Sequence, residues 1–385
     1  MKILAIETSC DDTCAAVLDN DRILSNIVSS QTDLHAKWGG VVPDIAKRAH
    51  MENIEAVIAE ALKRLKPTPN PSSPLRGIYG LKKMRGTKLS AKEIIEEKIK
   101  GIDVIAVTLG PGLAIALGVG VNTAKELALK YNKKLVAVNH IEGHMLVNLA
   151  KNRAGKPERK MEYPALALTV SGGHTKIVLI EQTHPPAAPS LEKGGLNIKY
   201  TVVGETLDDA AGEALDKAAK MMGLGYPGGP IIERLAMTGN SNFMELPRPI
   251  ADKKILDYSF SGLKTSFYYK IKDWPQEIIA ANLADLSASY QKAVFDTLIR
   301  KYKLAIEKYQ PKTLLASGGV LSNMTLRKEL RILAKSFDLP IFMPYSKILN
   351  TDNAAMIGVA GYYKALRGEF VENIAELDRN PRFGI

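Results

Sequence analysis

KILAIETSCDDTCAAVLD (Lys2 to Asp19) and PALALTVSGGHTKIVLIE (Pro164 to Glu181) share one pattern: an apolar run, a short polar turn, and a second apolar run. Runs of this length, rich in β-branched residues and bounded by polar or glycine turns, predict β-hairpins. A second pattern also occurs twice, an apolar strand entering a glycine turn and then a helix. It is seen in IDVIAVTLGPGLAIALGVGVNTAKELALK (Ile102 to Lys130) and KTLLASGGVLSNMTLRKEL (Lys312 to Leu330). The order hairpin, strand–turn–helix, hairpin, strand–turn–helix predicts two similar α/β halves facing each other, with polar turns lining a cleft between them.

That arrangement resembles the actin, Hsp70 and sugar-kinase superfamily. The resemblance implies a duplicated actin-like α/β fold of two lobes, in which hairpin turns grip the phosphates of a nucleotide and a later glycine turn holds its adenosine. The first lobe is expected over residues 1–150, completed by C-terminal helices over 350–385, and the second over 160–349. Two segments interrupt them. From Lys63 to Lys92 there are nine Lys or Arg and no Asp or Glu, with Pro67, Pro69, Pro71 and Pro74 at the start, which predicts an exposed basic insertion over about 66–88. Ser90 and Glu93 then form a capping box opening a short helix that runs to Lys100. The second lobe carries an insert over about 204–309, mostly helical by apolar periodicity and clearest in LADLSASYQKAVFDTLIRKYKLAIEKY.

Composition narrows the classes of function. In 385 residues, 46% are hydrophobic and 24% charged, ordinary for a globular protein and unlike a disordered or fibrous chain. The formal net charge of +11 favours a polyanionic partner. Cys10 and Cys14 are the only cysteines, so no disulfide scaffold exists and a reducing compartment fits best. The start, MKILAIETSCDD, turns acidic too soon for a signal peptide. The most membrane-like stretch, Ile102 to Ala124, is broken by Asp103, Pro111, Asn122 and glycines, so a cytoplasmic protein without a membrane partner is expected.

His140-Ile-Glu-Gly-His144 is the sharpest chemical signal, because histidines four apart share a helix face and can share one metal ion. Glu142 falls about 200° around the helix and points away from such an ion. A zinc protease needs its glutamate directly after the first histidine, where Ile141 stands. Two imidazoles under-coordinate a metal. Asp352 is the best third candidate, although it stands equally well where an N-cap aspartate would. Ser171-Gly172-Gly173 and Ser317-Gly318-Gly319 allow backbone amides to approach an anion or a flat base closely. On TLDDAAGEALDKAAKMMG, Asp209, Glu213 and Asp216 fall on one face, with Asp216 able to accept from ligand hydroxyls or an amine. Pro227-Gly228-Gly229-Pro230 follows as another close-approach turn. Cys10 and Cys14 are read as packing residues.

Ten blocks in order along nearly the whole chain are similar to one family. They include ETSCDDT (Glu7 to Thr13), GGVVPDIAKRAH (Gly39 to His50), NHIEGH (Asn139 to His144), VSGGHT (Val170 to Thr175), FSGLKT (Phe260 to Thr265), SGGVLSN (Ser317 to Asn323) and TDNAAMI (Thr351 to Ile357). The chain thus resembles the tRNA N6-adenosine threonylcarbamoyltransferases, the TsaD family, with ETSCDD closer to its bacterial and organellar branch. The resemblance implies an acyltransferase that moves the threonylcarbamoyl group from threonylcarbamoyl-adenylate to N6 of the adenosine after the tRNA anticodon, position 37, releasing AMP. It implies His140, His144 and Asp352 as ligands of one divalent metal ion, Fe2+ ahead of Zn2+. It places Thr169, Val170, Ser171, Gly172, Gly173, Asp216, Gly229 and Asn323 at nucleotide or substrate positions. The partners implied are tRNA, a TsaB-like paralogue and a TsaE-like ATPase. Asp11 is the candidate acceptor of the amine proton. Three departures stand out: the basic insertion, Asn350 where many members have cysteine, and Asp44 for glutamate. The competing reading is an actin-like ATPase or small-molecule kinase, which would hold Mg2+ through carboxylates and water.

Overall fold

The structure, a computed structural model, describes residues 1–64, 89–183, 197–252 and 254–385. The basic insertion over 66–88 lies outside the described residues. The chain divides into two compact units, one including Met1–Lys160 and Pro344–Ile385, the other Met161–Thr183 and Ile198–Met343.

In the first unit the predicted hairpin is β1 (Lys2–Glu7) and β2 (Asp12–Asp19), extended by β3 (Arg22–Ser30). The chain continues through α1 (Thr32–Ala36), α2 (Pro43–Lys63) and α3 (Ala91–Lys98). The Ser90–Glu93 capping box is formed in full, and α3 passes into a 3-10 turn ending at Gly101. Then come β4 (Val104–Gly110), α4 (Ala114–Lys130), β5 (Lys134–Asn139) and α5 (His140–Leu146). The sheet order is β3-β2-β1-β4-β5, with β1–β2 and β2–β3 antiparallel and β1–β4 and β4–β5 parallel. Past β1's first residue, Ile3 to Glu7 are all buried, as expected of a strand covered on both faces.

The second unit holds β6 (Ala165–Val170), β7 (Thr175–Thr183) and β8 (Asn197–Glu205). Its helical insert is α6 (Ala211–Met221), α7 (Gly228–Ala236), α8 (Ser261–Ile271), α9 (Gln276–Ala281) and α10 (Leu283–Tyr309). After it come β9 (Thr313–Ser317), α11 (Met324–Ser336) and the short β10 (Ile341–Phe342). The sheet order, β8-β7-β6-β9-β10, repeats that of the first unit strand for strand. The directions repeat too: β6–β7 is antiparallel, β6–β9 and β9–β10 parallel. Tyr302 of α10 is fully buried, and its hydroxyl lies 2.8 Å from the Leu166 carbonyl and 3.2 Å from that of Leu315. One phenol thus ties the longest helix to two neighbouring strands while its ring fills the core.

The last helix, α12 (Ala354–Leu366), belongs to the first unit. Its small residues let it press onto that sheet. A Cβ at Gly358 would come within 2.1 Å of Leu18 Cδ1, and one at Gly361 within 2.6 Å of Ala106 Cβ. This close seat fixes where the residues just ahead of the helix, including Asp352, are delivered.

Acidic residues in the β1–β2 hairpin give the fold a pH dependence. Burial, reinforced by the charge of Asp11, pushes the Asp12 carboxyl up to about 8. The native state therefore keeps a proton that the unfolded chain releases near pH 4. Stability is full below that pH and falls as pH rises from about 4 to about 8, by at most about 1.4 kcal/mol per unit. Asn at this position mimics the protonated acid. Asp12→Asn is expected to flatten the decline in Tm between pH 5 and pH 8, and an unchanged slope would show that Asp12 is not its source.

Candidate metal centre and ligand pocket

Strand β5 runs straight into α5, and Asn139 at the junction caps the helix: its Oδ1 accepts from the amides of Ile141 (2.8 Å) and Glu142 (3.3 Å). His140 and His144 project from one face, both buried, their rings edge-to-face with centroids 4.7 Å apart. Both Nε2 atoms converge on one oxygen: Asp352 Oδ1 lies 3.5 Å from His140 and 3.1 Å from His144. The three ligand atoms lie within 4.8 Å of one another, so these residues form a candidate metal centre. The N-cap reading of Asp352 is corrected: α12 is capped by Asn353, whose side chain accepts from the Met356 amide at 3.1 Å.

Behind His140 stands a carboxylate that opens the ETSCDDT block but is not among the candidate site residues. Glu7, buried at the end of β1, places Oε2 3.2 Å from His140 Nδ1, and Ser9 Oγ lies 3.1 Å from the same nitrogen. Thr108 donates to Glu7 Oε2 at 2.5 Å, and the Ser9 amide donates to Oε1. A carboxylate behind an imidazole fixes its tautomer and raises its basicity as a ligand. Burial alone would push His140 down, but the carboxylates of Asp352 and Glu7 hold it up at about 9. Burial raises Glu7 in turn, but the charge and hydrogen bond of His140, joined by the hydrogen bond from Ser9, together bring it below its ordinary value. His144 goes the other way: burial lowers it despite the hydrogen bond to Asp352. Among the described residues its Nδ1 finds no hydrogen-bond partner. The donor set fits a divalent cation: two imidazole nitrogens and one carboxylate oxygen, aimed at a common point, with coordination positions left for water or substrate.

Asp11 lies in the β1–β2 turn. Burial pushes its carboxyl up, opposed by a hydrogen bond with Cys10 and reinforced by the charge of Asp352. Cys14 is buried, Cys10 partly so, and burial raises both thiols well above the ordinary range, as packing cysteines should be.

The second unit has its own cavity, of about 250 Å³, lined by Gly172, Asp216, Gly229, Gly319 and Asn323 among others. Asp216 Oδ1 accepts from the amides of Gly228 (2.7 Å) and Gly229 (3.2 Å), so α6 caps the start of α7. Burial raises the Asp216 carboxyl against the pull of those amides. Asn323 caps α11 with its Oδ1 and donates from Nδ2 to Gln291 at 2.7 Å. Gly318 has φ +101°, and a Cβ there would lie 2.3 Å from the Val170 carbonyl oxygen. Of the stretch Thr169 to Gly173, Gly172 reaches the cavity wall, whereas the Val170 side chain belongs to the core. The expected acidic face is corrected at one residue: Asp209 precedes α6 and pairs with Lys217 (2.7 Å) and Lys264 (2.6 Å). Glu233 and Tyr226 also line the cavity; neither is among the candidate site residues, and Glu233 lies outside every quoted motif.

Two copies of one sheet order, with a His/His/Asp cluster in one unit and a glycine-lined cavity in the other, place the chain in the duplicated actin-like class. The full-length HypF structure in its phosphate- and nucleotide-bound form matches at TM-score 0.50 and 12% identity, over 73% of this chain and 50% of that one, a likeness of fold alone. The chain belongs to the tRNA N6-adenosine threonylcarbamoyltransferase (TsaD) family, whose profile matches residues 22–72 and 89–359. Curated relatives of that name are 40% identical in Kosmotoga olearia, over 96% of this chain and 95% of the relative, and 41% identical in Thermosipho melanesiensis, over 94% of each. The Porphyromonas gingivalis relative is 40% identical over 96% of this chain and 94% of its own.

Proposed function

We propose that this chain is a transferase that moves the threonylcarbamoyl group of L-threonylcarbamoyladenylate onto N6 of adenosine 37 in tRNAs reading codons that begin with A, with AMP as the leaving group. The observation that carries the reading is the convergence of His140 and His144 on Asp352 in a chain that matches the family along almost its whole length. An actin-like kinase has no need of two imidazoles aimed at one carboxylate.

The chemistry is consistent with this. The exocyclic amine of adenine is a poor nucleophile, since its lone pair is delocalised into the ring, so the donor must be an activated mixed anhydride. N6 attacks the carbamoyl carbon, the bond from that carbon to the phosphate oxygen breaks, and AMP departs with the electron pair. A divalent cation held by His140, His144 and Asp352, Fe2+ ahead of Zn2+, would supply positive charge to the oxyanion of acyl transfer. Glu7 holds the His140 ring in place for that ligation. Asp216, Gly172, Gly229, Gly319 and Asn323 would hold the AMP portion, with the Asp216 carboxylate accepting from ribose hydroxyls. Ser171 and Gly173 flank Gly172 in the turn between β6 and β7, and Thr169 on β6 leads into it. Asp11, its carboxyl raised by burial, would accept the amine proton.

The net charge of +11 suits tRNA. A TsaB-like paralogue and a TsaE-like ATPase are the proposed protein partners, and the cytoplasm the proposed compartment. Among the described residues no helix is long and apolar enough to cross a membrane. Nucleoside mass spectrometry of unmodified tRNA incubated with threonine, bicarbonate, ATP and the partner proteins tests the proposal. Threonylcarbamoyladenosine should form with the wild type and fail to form with His140→Ala; unmodified tRNA in the wild-type reaction refutes it.

A further inference from the structure

Glu142 lies between the two histidines in sequence yet is buried on the opposite side of α5. Its carboxylate meets Arg367 at 3.4 Å and Lys364 at 3.9 Å, both at the far end of α12. We infer that Glu142 is a positioning residue for the metal centre: it pins α5 against rotation, so that both imidazoles stay trained on Asp352. This rests on His140, His144 and Asp352 being metal ligands.

Helix α5 has only seven residues, too few to hold its own conformation, so its orientation must come from what it touches. Gly143 supplies the pivot. A Cβ there would lie 3.0 Å from Ile357 Cδ1 and 3.3 Å from Met356 Cγ, so α5 and α12 meet closely at this point. On one side of the pivot the histidines reach Asp352, just ahead of α12. On the other, Glu142 reaches the last turn. The 13 residues of α12 span about 20 Å, so the short helix is fastened near both ends of the long one.

The far anchor is built rather than incidental. Gly368, at φ +78°, turns the chain back so that the Glu369 amide donates to the Lys364 carbonyl at 3.0 Å. The Glu369 carboxylate then pairs with Lys364 at 2.6 Å and with Arg367. Of these four charged groups Glu142 is the most buried. Removing one partner strands a buried charge and loosens the anchor.

Small rotations matter here. Turning α5 by about 20° carries an atom about 6 Å from its axis through about 2 Å. Metal–ligand distances tolerate only about 0.2 Å. A helix fastened at the pivot and the histidines alone would lose the alignment of two Nε2 atoms on one oxygen long before it lost its fold.

The test titrates the full-length apo chain with Zn2+ against a chromophoric chelator. It compares the wild type with Glu142→Gln, Arg367→Met, Arg367→Lys and the double variant Glu142→Gln/Arg367→Met, and records Tm in EDTA for each. Glu142→Gln and Arg367→Met should each weaken Zn2+ binding about tenfold to a hundredfold. The double variant should be no worse than either single one, and Arg367→Lys should recover most of the affinity. Variants whose Tm falls while Zn2+ affinity equals that of the wild type overturn the inference and leave the metal reading standing. A wild type that binds no Zn2+ overturns both.

Discussion

His144→Ala and Asp352→Asn should each strip the protein of its metal, from about one equivalent per chain to less than a tenth, and lower threonylcarbamoyl transfer by about a hundredfold or more. The candidate centre offers three protein ligands, and losing one leaves a set no stronger than many surface pairs. Asp352→Asn keeps the volume of the side chain and removes its charge, the term that anchors a dication. His144→Ala opens a cavity, yet it also deletes a buried nitrogen that has no hydrogen-bond partner among the described residues. The stability cost should therefore stay at about 1–3 kcal/mol, too little to unfold the chain. Elemental analysis, Tm and nucleoside mass spectrometry on the same preparations separate the cases. Folded variants that keep both metal and transfer would remove these residues from the centre.

Gly318→Ala should be one of the most damaging small substitutions in the second unit. The backbone there has φ +101°, which only glycine adopts without strain, at about 1–3 kcal/mol for other residues. The new Cβ would also lie 2.3 Å from the Val170 carbonyl oxygen and 2.6 Å from its carbon, main-chain atoms of β6 that cannot step aside. A total of about 3 kcal/mol corresponds to a fall in Tm of roughly 6–12 °C. The turn carries Gly319 and Asn323 into the cavity, so adenylate affinity should fall with it. Gly319→Ala is the contrast: a Cβ there meets nothing within 4 Å, so Tm should hold while ligand binding weakens. Equal tolerance of both alanines, by scanning calorimetry and by titration with an adenylate analogue, would contradict this account of the turn.

Local patterns in the sequence were informative. Both hairpins, both strand–turn–helix units, the Ser90–Glu93 capping box and the limits of α10 at Leu283 and Tyr309 follow from short-range periodicity and end signals. The pairing of His140 with His144 is likewise a helical spacing. What could not be read is long-range. Glu7 stands 133 positions from the histidine it supports, and no spacing rule joins a strand end to a distant helix start. Asp352 fits two roles in the sequence, and only the packing of the last helix shows that Asn353, not Asp352, is its cap. The resemblance alone places Val170 with the binding turn, while β-strand alternation turns its side chain into the core. Asp209 matched a helical face that begins only at Ala211. Ion pairs such as Glu142 with Arg367, spanning 225 positions, exist only once the last helix has packed.

The most direct measurement supplies threonylcarbamoyl-adenylate and tRNA to the metal-loaded chain without ATP, adding the partner proteins if turnover requires them, and counts both products. The account predicts one AMP released for each threonylcarbamoyladenosine formed, and neither from the Asp352→Asn chain. AMP or ADP production with no modified adenosine, or transfer undiminished after the metal is chelated away, would contradict it.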